Sequence, residues 1–316
     1  MNFWKNLPKP FFCLAPMEDV TDVVFRQVIS RASRPDVYFT EFMNVSGFCH
    51  PEGRSNVARR LKTAPTDNPI VAQIWGNKPE DFIKTVAEIK KMKAFVGIDI
   101  NMGCPDKAVV KSGGGSALIK DPKLAIEIIQ LTKNEIEKNS TELTLSVKTR
   151  IGYSNVEEYK DWLTTLLNQD LDALSVHLRT KKEMSKVPAH YELISDIIKL
   201  RDKISPKTKL IINGDITDRA AGINLTKKYP GIDGVMIGRG VFANPFCFEK
   251  IPKKHTQSEL IELLKYHLEL FNNYDMLKYE PLKKFFKIYI NDFPGAKELR
   301  IKLMETKNIE EALELL

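Results

Sequence analysis

The chain has 316 residues, 43% of them hydrophobic and 28% charged, with a formal net charge of +7. That composition excludes a disordered or low-complexity chain, and the length suits one α/β unit of ~250 residues with a smaller unit attached. The positive charge favours a polyanionic partner, because clustered Lys and Arg gain from releasing nucleic-acid counterions.

From residue 11 to about 250, apolar runs alternate with amphipathic stretches. Eight runs read as strands: Phe11 to Pro16, Val37 to Glu41, Ile70 to Trp75, Val96 to Asn101, Leu143 to Thr149, Ala173 to Leu178, Lys209 to Asn213 and Gly234 to Gly238. Between them lie helical patterns such as Lys123 to Glu137, where Leu124, Ile128, Leu131 and Glu135 fall on successive turns and Ala125, Ile129 and Ile136 fill the apolar face. Eight β/α units predict a TIM (β/α)8 barrel rather than an open sheet. The long connection from Phe42 to Pro69, with Arg54, Arg59, Arg60 and Lys62, reads either as a wall of the substrate site or as a solvated loop.

Near Pro252-Lys253-Lys254 the strand pattern stops, dividing the chain into a barrel over 1–252 and a small helical bundle over 253–316. Ser258 to Asn272 carries Ile261, Leu264, Leu268 and Phe271 along one stripe, with Ser258 as N-cap. Next, Leu282, Phe285, Phe286, Tyr289 and Ile290 share one face, leaving Lys283, Lys284 and Lys287 on the other as a candidate RNA face. Acidic and basic residues balance beyond residue 252, so the whole +7 resides in the barrel region.

The four cysteines, Cys13, Cys49, Cys104 and Cys247, form no CxxC pair and no zinc spacing, so neither a metal site nor a disulfide framework is expected and a reducing cytoplasm fits. The start of the chain has too short an apolar run for a signal segment, and no stretch approaches the ~20 apolar residues of a membrane span.

Cys104 stands in Asn101-Met102-Gly103-Cys104-Pro105, at the end of the apolar run Phe95 to Ile100. A strand end is where parallel α/β folds keep their chemistry. A lone cysteine reads first as a buried structural thiol, but Asn101, Lys107 and the glycine-rich Ser112 to Ser116, expected to be mobile, are company a core thiol does not need. The other strand ends offer Ala15-Pro16-Met17, Gln73, Lys148 with Arg150, His177 with Arg179, Asn213-Gly214-Asp215 and Gly238-Arg239-Gly240. The last two, at consecutive strands, predict a phosphate site of the kind barrels place after strands 7 and 8. No Gly-Lys-Ser/Thr follows Ser116 and no GxGxxG opens the chain, which argues against P-loop and Rossmann sites.

The ordered set Leu14-Ala15-Pro16-Met17, Asn101 to Pro105 with Lys107, Gly115-Ser116-Ala117-Leu118, Val147-Lys148-Thr149-Arg150, His177-Leu178-Arg179-Thr180, Asn213-Gly214-Asp215-Ile216 and Ile237-Gly238-Arg239-Gly240 resembles the tRNA-dihydrouridine synthases. The resemblance implies a cytoplasmic, monomeric flavoenzyme: an FMN-binding barrel, NADPH as reductant, and a helical domain that helps grip tRNA. Pro16, Met17, Gln73, Lys148, His177, Asn213, Gly214, Asp215, Gly238 and Arg239 would contact the flavin or its phosphate. Asn101, Lys107, Arg150 and Arg179 would face the substrate, Cys104 would be the catalytic acid, and Lys148, Arg150 and His177 would act as cations on the reduced flavin or the enolate. Asp19 and Leu178 depart from the family's common glycines, and Met184 to Tyr191 departs from its loop pattern. The alternatives are an FMN barrel acting on a small molecule, as dihydroorotate dehydrogenases and enoate reductases do, the same reduction on ribosomal RNA, or a non-enzymatic RNA-binding protein.

Overall fold

The computed structural model describes residues 2–138, 142–274 and 278–316. Its nine-stranded sheet runs through β1 (Phe11–Leu14), β2 (Tyr38–Phe39), β3 (Met43–Asn44), β4 (Ile70–Trp75), β5 (Gly97–Met102), β6 (Thr144–Arg150), β7 (Ala173–His177), β8 (Lys209–Asn213) and β9 (Gly234–Ile237). Every pairing is parallel, in the order β1-β9-β8-β7-β6-β5-β4-β2, with the short β3 added beside β4. The ring closes between β1 and β2: Cys13 bridges Val37, and the Leu14 N–H donates to the Val37 carbonyl at 3.1 Å. The architecture is the expected TIM barrel.

Parallel strands buried on both faces read as unbroken apolar runs, which is why their positions could be read from the chain. One set of strand residues, including Phe11, Cys13, Phe39, Val71, Ile211 and Met236, packs inside the ring; the alternate set, including Phe12, Leu14, Ile98, Ile100 and Leu174, packs under the helices. Trp4, in a 3-10 turn (Phe3–Asn6) not expected from the sequence, joins the inner set and donates from Nε1 to Thr144 Oγ1 at 3.1 Å. Thr144 and Phe11 begin their strands, so Trp4 plugs the amino-terminal mouth and leaves the opposite mouth for chemistry.

Helices α1 (Val23–Ala32), α2 (Pro79–Met92), α3 (Pro122–Glu137), α4 (Tyr159–Leu167), α5 (Ile194–Ile204) and α6 (Arg219–Lys228) surround the ring. The buried face of α3 is Ala125, Ile128, Ile129, Thr132, Glu135 and Ile136, with Leu124 and Leu131 at its edge. Buried Glu135 is sustained by Lys138 at 2.8 Å and Lys90 at 3.9 Å.

After the barrel the chain is helical. Helix α7 (Gln257–Asn273) is capped by Thr256 rather than Ser258, because Thr256 accepts from the Glu259 N–H while Glu259 accepts from the Thr256 N–H. Glu280–Phe285 is a 3-10 turn continued by one α-turn, Phe286–Tyr289, so the segment is not the uniform helix that the spacing implied. Its apolar residues are buried as expected, but so is Lys283, which donates to the Met304 carbonyl at 2.9 Å and to Glu280 at 2.8 Å. Lys283 therefore leaves the solvent face on which Lys284 and Lys287 remain. Phe285 and His267 pack on Phe25 of α1 at ring distances of 4.9 and 5.8 Å, making the helical part continuous with the barrel core.

Candidate active site

The carboxyl ends of β1, β6, β7, β8 and β9 surround a cavity of about 430 Å³. Pro16, Met17, Lys148, His177, Asn213, Gly214, Asp215, Gly238 and Arg239 all line it, so the strand-end residues expected around a phosphorylated ligand converge. Gln73 does not line it: its side chain is buried, donating to Asp99 at 2.7 Å and accepting from Asn101 at 3.0 Å.

Charge in this bowl is distributed unevenly. Burial and the neighbouring Arg150 bring the Lys148 ammonium down to about 8, and its Nζ donates to Asn213 Oδ1 at 3.3 Å. Burial, with Arg150, Lys148, Arg179 and Arg239 around it, pushes His177 well below its ordinary value. His177 is therefore neutral at physiological pH, which corrects its expected role as a cation. Its Nδ1 is buried without a partner, as is Nη1 of Arg179. Asp215 adopts a left-handed backbone (φ 52°) and is ion-paired with Arg179 and, at 3.3 Å, with Arg239. Its carboxylate is committed to two guanidinium groups, not free to meet an anion.

Asn101 accepts from the Gly103 and Cys104 N–H groups through Oδ1, at 3.0 and 2.9 Å. Cys104 is half-buried; burial raises its thiol above the ordinary value, opposed by the Asp106 N–H and by Arg150. Its carbonyl accepts from the Ser116 N–H at 3.0 Å and the Ser116 hydroxyl at 2.9 Å. Gly115 (φ 56°) lies so close that a Cβ would stand 2.9 Å from that carbonyl oxygen. The glycine-rich run is thus fastened to Cys104, where mobility was expected: glycine is needed for close approach.

Arg150 and Arg179 are each almost wholly buried and bond within the protein. Arg150 is brought down to about 10 by burial, and Arg179 donates to the Val187 carbonyl at 2.5 Å. Lys107 is exposed beside Cys104, at the first turn of Lys107–Lys111. Lys284 reaches across from the helical part to donate to the Asp19 carbonyl. Asp19, in the left-handed region (φ 55°), keeps that conformation with its N–H donating to Glu41 at 2.7 Å, so the absence of glycine there leaves the loop intact. Asp99 escaped the sequence reading, although an acid within the apolar run Phe95 to Ile100 was a visible anomaly. Glu41 escaped too; nothing local marks its burial.

The chain matches the family model described as "Dihydrouridine synthase (Dus)" over residues 13–316. It is 56% identical to the "Probable tRNA-dihydrouridine synthase" of Staphylococcus aureus (strain Mu50 / ATCC 700699), with 100% of this chain and 94% of that protein covered. It is 53% identical to the "Probable tRNA-dihydrouridine synthase 2" of Bacillus subtilis (strain 168), covering 100% and 95%. Among solved structures, a 2-naphthoyl-CoA reductase complex shares the fold at 12% identity and a TM-score of 0.52, covering 74% of this chain and 48% of that chain.

Proposed function

Because the chain belongs to the dihydrouridine synthase family, we propose that it reduces the C5–C6 double bond of specific uridines in tRNA to 5,6-dihydrouridine, with FMN as resident cofactor and NADPH as reductant. The tRNA enzymes named among its relatives support tRNA over ribosomal RNA. The observation that carries the reading is the buried, unpartnered Nδ1 of His177, a residue lining the cavity of about 430 Å³. Buried polar atoms ordinarily have partners, so a ligand rich in donors and acceptors belongs there. The residues present fit FMN in a second way. A Cβ on Gly238 would meet only Ala15 at 3.5 Å and Met17 at 3.7 Å, ordinary contacts, so the protein itself does not require that glycine and a ligand needing the space does.

Pro16, Met17, Lys148, His177, Asn213, Gly214, Gly238 and Arg239 would hold the flavin, with Asp215 orienting Arg239 and Arg179 rather than touching phosphate. When bound, the flavin supplies hydride to C6 of the uracil ring. The Cys104 thiol gives its proton to C5 from the opposite face, and its raised pKa keeps that proton in place at neutral pH. Lys148 and Arg150, both coupled electrostatically to Cys104, favour the thiolate left behind. Neutral His177 orients its ligand by hydrogen bonding. Lys107 stands on the substrate side, whereas Asn101 holds the backbone at Cys104 and Arg150 and Arg179 hold the loops that shape the site.

The target uridine has to leave its stack, at roughly a few kcal/mol. Phosphate contacts from the positive barrel, residues 1–252, and from exposed Lys284 and Lys287 of the helical part, residues 253–316, offset that cost. A tRNA substrate supports a cytoplasmic location; among the described residues no helix is long and apolar enough to cross a membrane. Mass-spectrometric mapping of dihydrouridine in RNA from cells with and without this protein tests the reaction. Unchanged dihydrouridine at every tRNA position would sink it, and a colourless protein that takes up no FMN would remove the cofactor.

A further inference from the structure

We propose that Asp99 is a positioning residue: through Gln73 and Asn101 it fixes the backbone that presents Cys104, an inference that rests on the proton-donor reading of that thiol.

Both carboxylate oxygens of Asp99 are engaged beneath the site, Oδ1 by the Ser146 hydroxyl at 2.6 Å and Oδ2 by Gln73 Nε2 at 2.7 Å. An ionised carboxylate only accepts hydrogen bonds, so it dictates which end of the Gln73 amide faces it. Gln73 Oε1 is thereby turned away and accepts from Asn101 Nδ2 at 3.0 Å. Asn101 Oδ1 is turned in its own right toward the Gly103 and Cys104 N–H groups, at 3.0 and 2.9 Å. Asp99 and Gln73 are 0% exposed and Asn101 is 5% exposed, so water cannot substitute for any link.

An amide is nearly the same shape with its oxygen and nitrogen exchanged. Without an anchor of fixed polarity, Gln73 and Asn101 have a second, reversed arrangement in which Asn101 presents an NH₂ to two N–H donors. That arrangement displaces Gly103 and Cys104. Asp99 is the member whose polarity cannot reverse while it is ionised. Burial raises it to about 6, still below neutrality, with Ser146, Gln73 and Lys148 favouring its charged form.

Two sets of variants test this, read by the alkylation rate of Cys104 in the folded protein, followed by peptide mass spectrometry, and by turnover. Asp99→Leu removes the anchor at similar volume. Cys104 alkylation is expected to rise about 10-fold as the loop loosens, and kcat to fall on the order of 100-fold with little change in KM. Gln73→Glu sets a second carboxylate against Asp99 and is expected to disturb both readouts. Adding Asp99→Asn restores a donor facing Glu at position 73, which still accepts from Asn101, and is expected to recover the Cys104 alkylation rate. A residue that merely fills space lowers thermal stability without moving the Cys104 rate and shows no such reciprocity. The proposal is overturned if Asp99→Leu leaves alkylation and turnover within twofold. It is equally overturned if the paired variant is no better than Gln73→Glu alone, a comparison that decides the matter even if Asp99→Leu does not fold. Failure of the proton-donor reading shows separately, as full turnover in Cys104→Ala, while the alkylation readout still judges Asp99.

Discussion

Arg150 donates its Nε hydrogen to the carbonyl of Gly103 at 2.9 Å, one residue before Cys104. Its Nη1 donates to the carbonyls of Thr180 and Met184 at 3.1 and 2.9 Å, so one guanidinium staples the loop after β5 to the loop after β7. Arg150→Met leaves three carbonyls short of a donor and removes a cation beside the thiol. The expected result is a fall in kcat of about 10- to 100-fold with KM for RNA nearly unchanged. Arg150→Lys recovers little, because a point charge cannot span the fork. Steady-state kinetics with tRNA check this, and a rise in KM alone would return Arg150 to the substrate side.

Cys104→Ala keeps flavin absorbance and RNA affinity and loses most of the reduction, because only the proton donor is removed. Flavin spectra, filter binding and dihydrouridine quantification on one preparation separate the three. Near-normal turnover would end the assignment.

Among the lysines near the centre of the helical part, burial sorts the roles. Lys284→Ala with Lys287→Ala is expected to weaken tRNA binding and reduce the slope of log affinity against log salt by about 1–2, with flavin content unchanged. Lys283→Ala instead leaves the slope alone and lowers the melting temperature, since it strips a donor from the Met304 carbonyl. Titrations at several salt concentrations distinguish the two.

Glu41 is raised to about 7 by burial and by the negative charges of Asp22 and Glu18. A carboxyl whose folded pKa is raised contributes stability that is present below its unfolded value, near ~4.3, and lost as pH climbs toward the folded one. Glu41→Gln keeps an acceptor for the Asp19 N–H and cannot ionise. Relative to the unsubstituted protein its stability should climb between roughly pH 4.3 and 7 and level off above, by on the order of 1–3 kcal/mol. Thermal melts at pH 5 and pH 8 that show equal differences would contradict this.

The strands were legible because Ile70–Trp75 and Lys209–Asn213, buried on both faces, carry their burial in composition alone. Local periodicity also found the apolar residues from Leu282 to Ile290, but it assumed an α-helical twist that the 3-10 geometry of Glu280–Phe285 does not have. Lys283 was misplaced for that reason, and because the carbonyl that satisfies it lies 21 residues on. The cavity-lining residues after β7, β8 and β9 were legible because a barrel gathers strand ends. The state of His177 was not, since it arises from burial in the folded barrel and from cations that include Lys148 and Arg150 of β6 and Arg239 after β9. The tethering of Gly115 to Cys104 was likewise hidden: glycine marks freedom and close packing with the same letter.

The junction between β1 and β2 is the thinnest part of the ring, and α1, which connects those strands, is also the helix on which Phe285 and His267 rest through Phe25. The C-terminal limb therefore works as a clasp over the barrel's own seam. Severing the chain after residue 252 would bare Phe25 to water and weaken the closure it backs. Calorimetry of the whole protein should accordingly record one melting transition shared by barrel and limb, where two independent modules would give two.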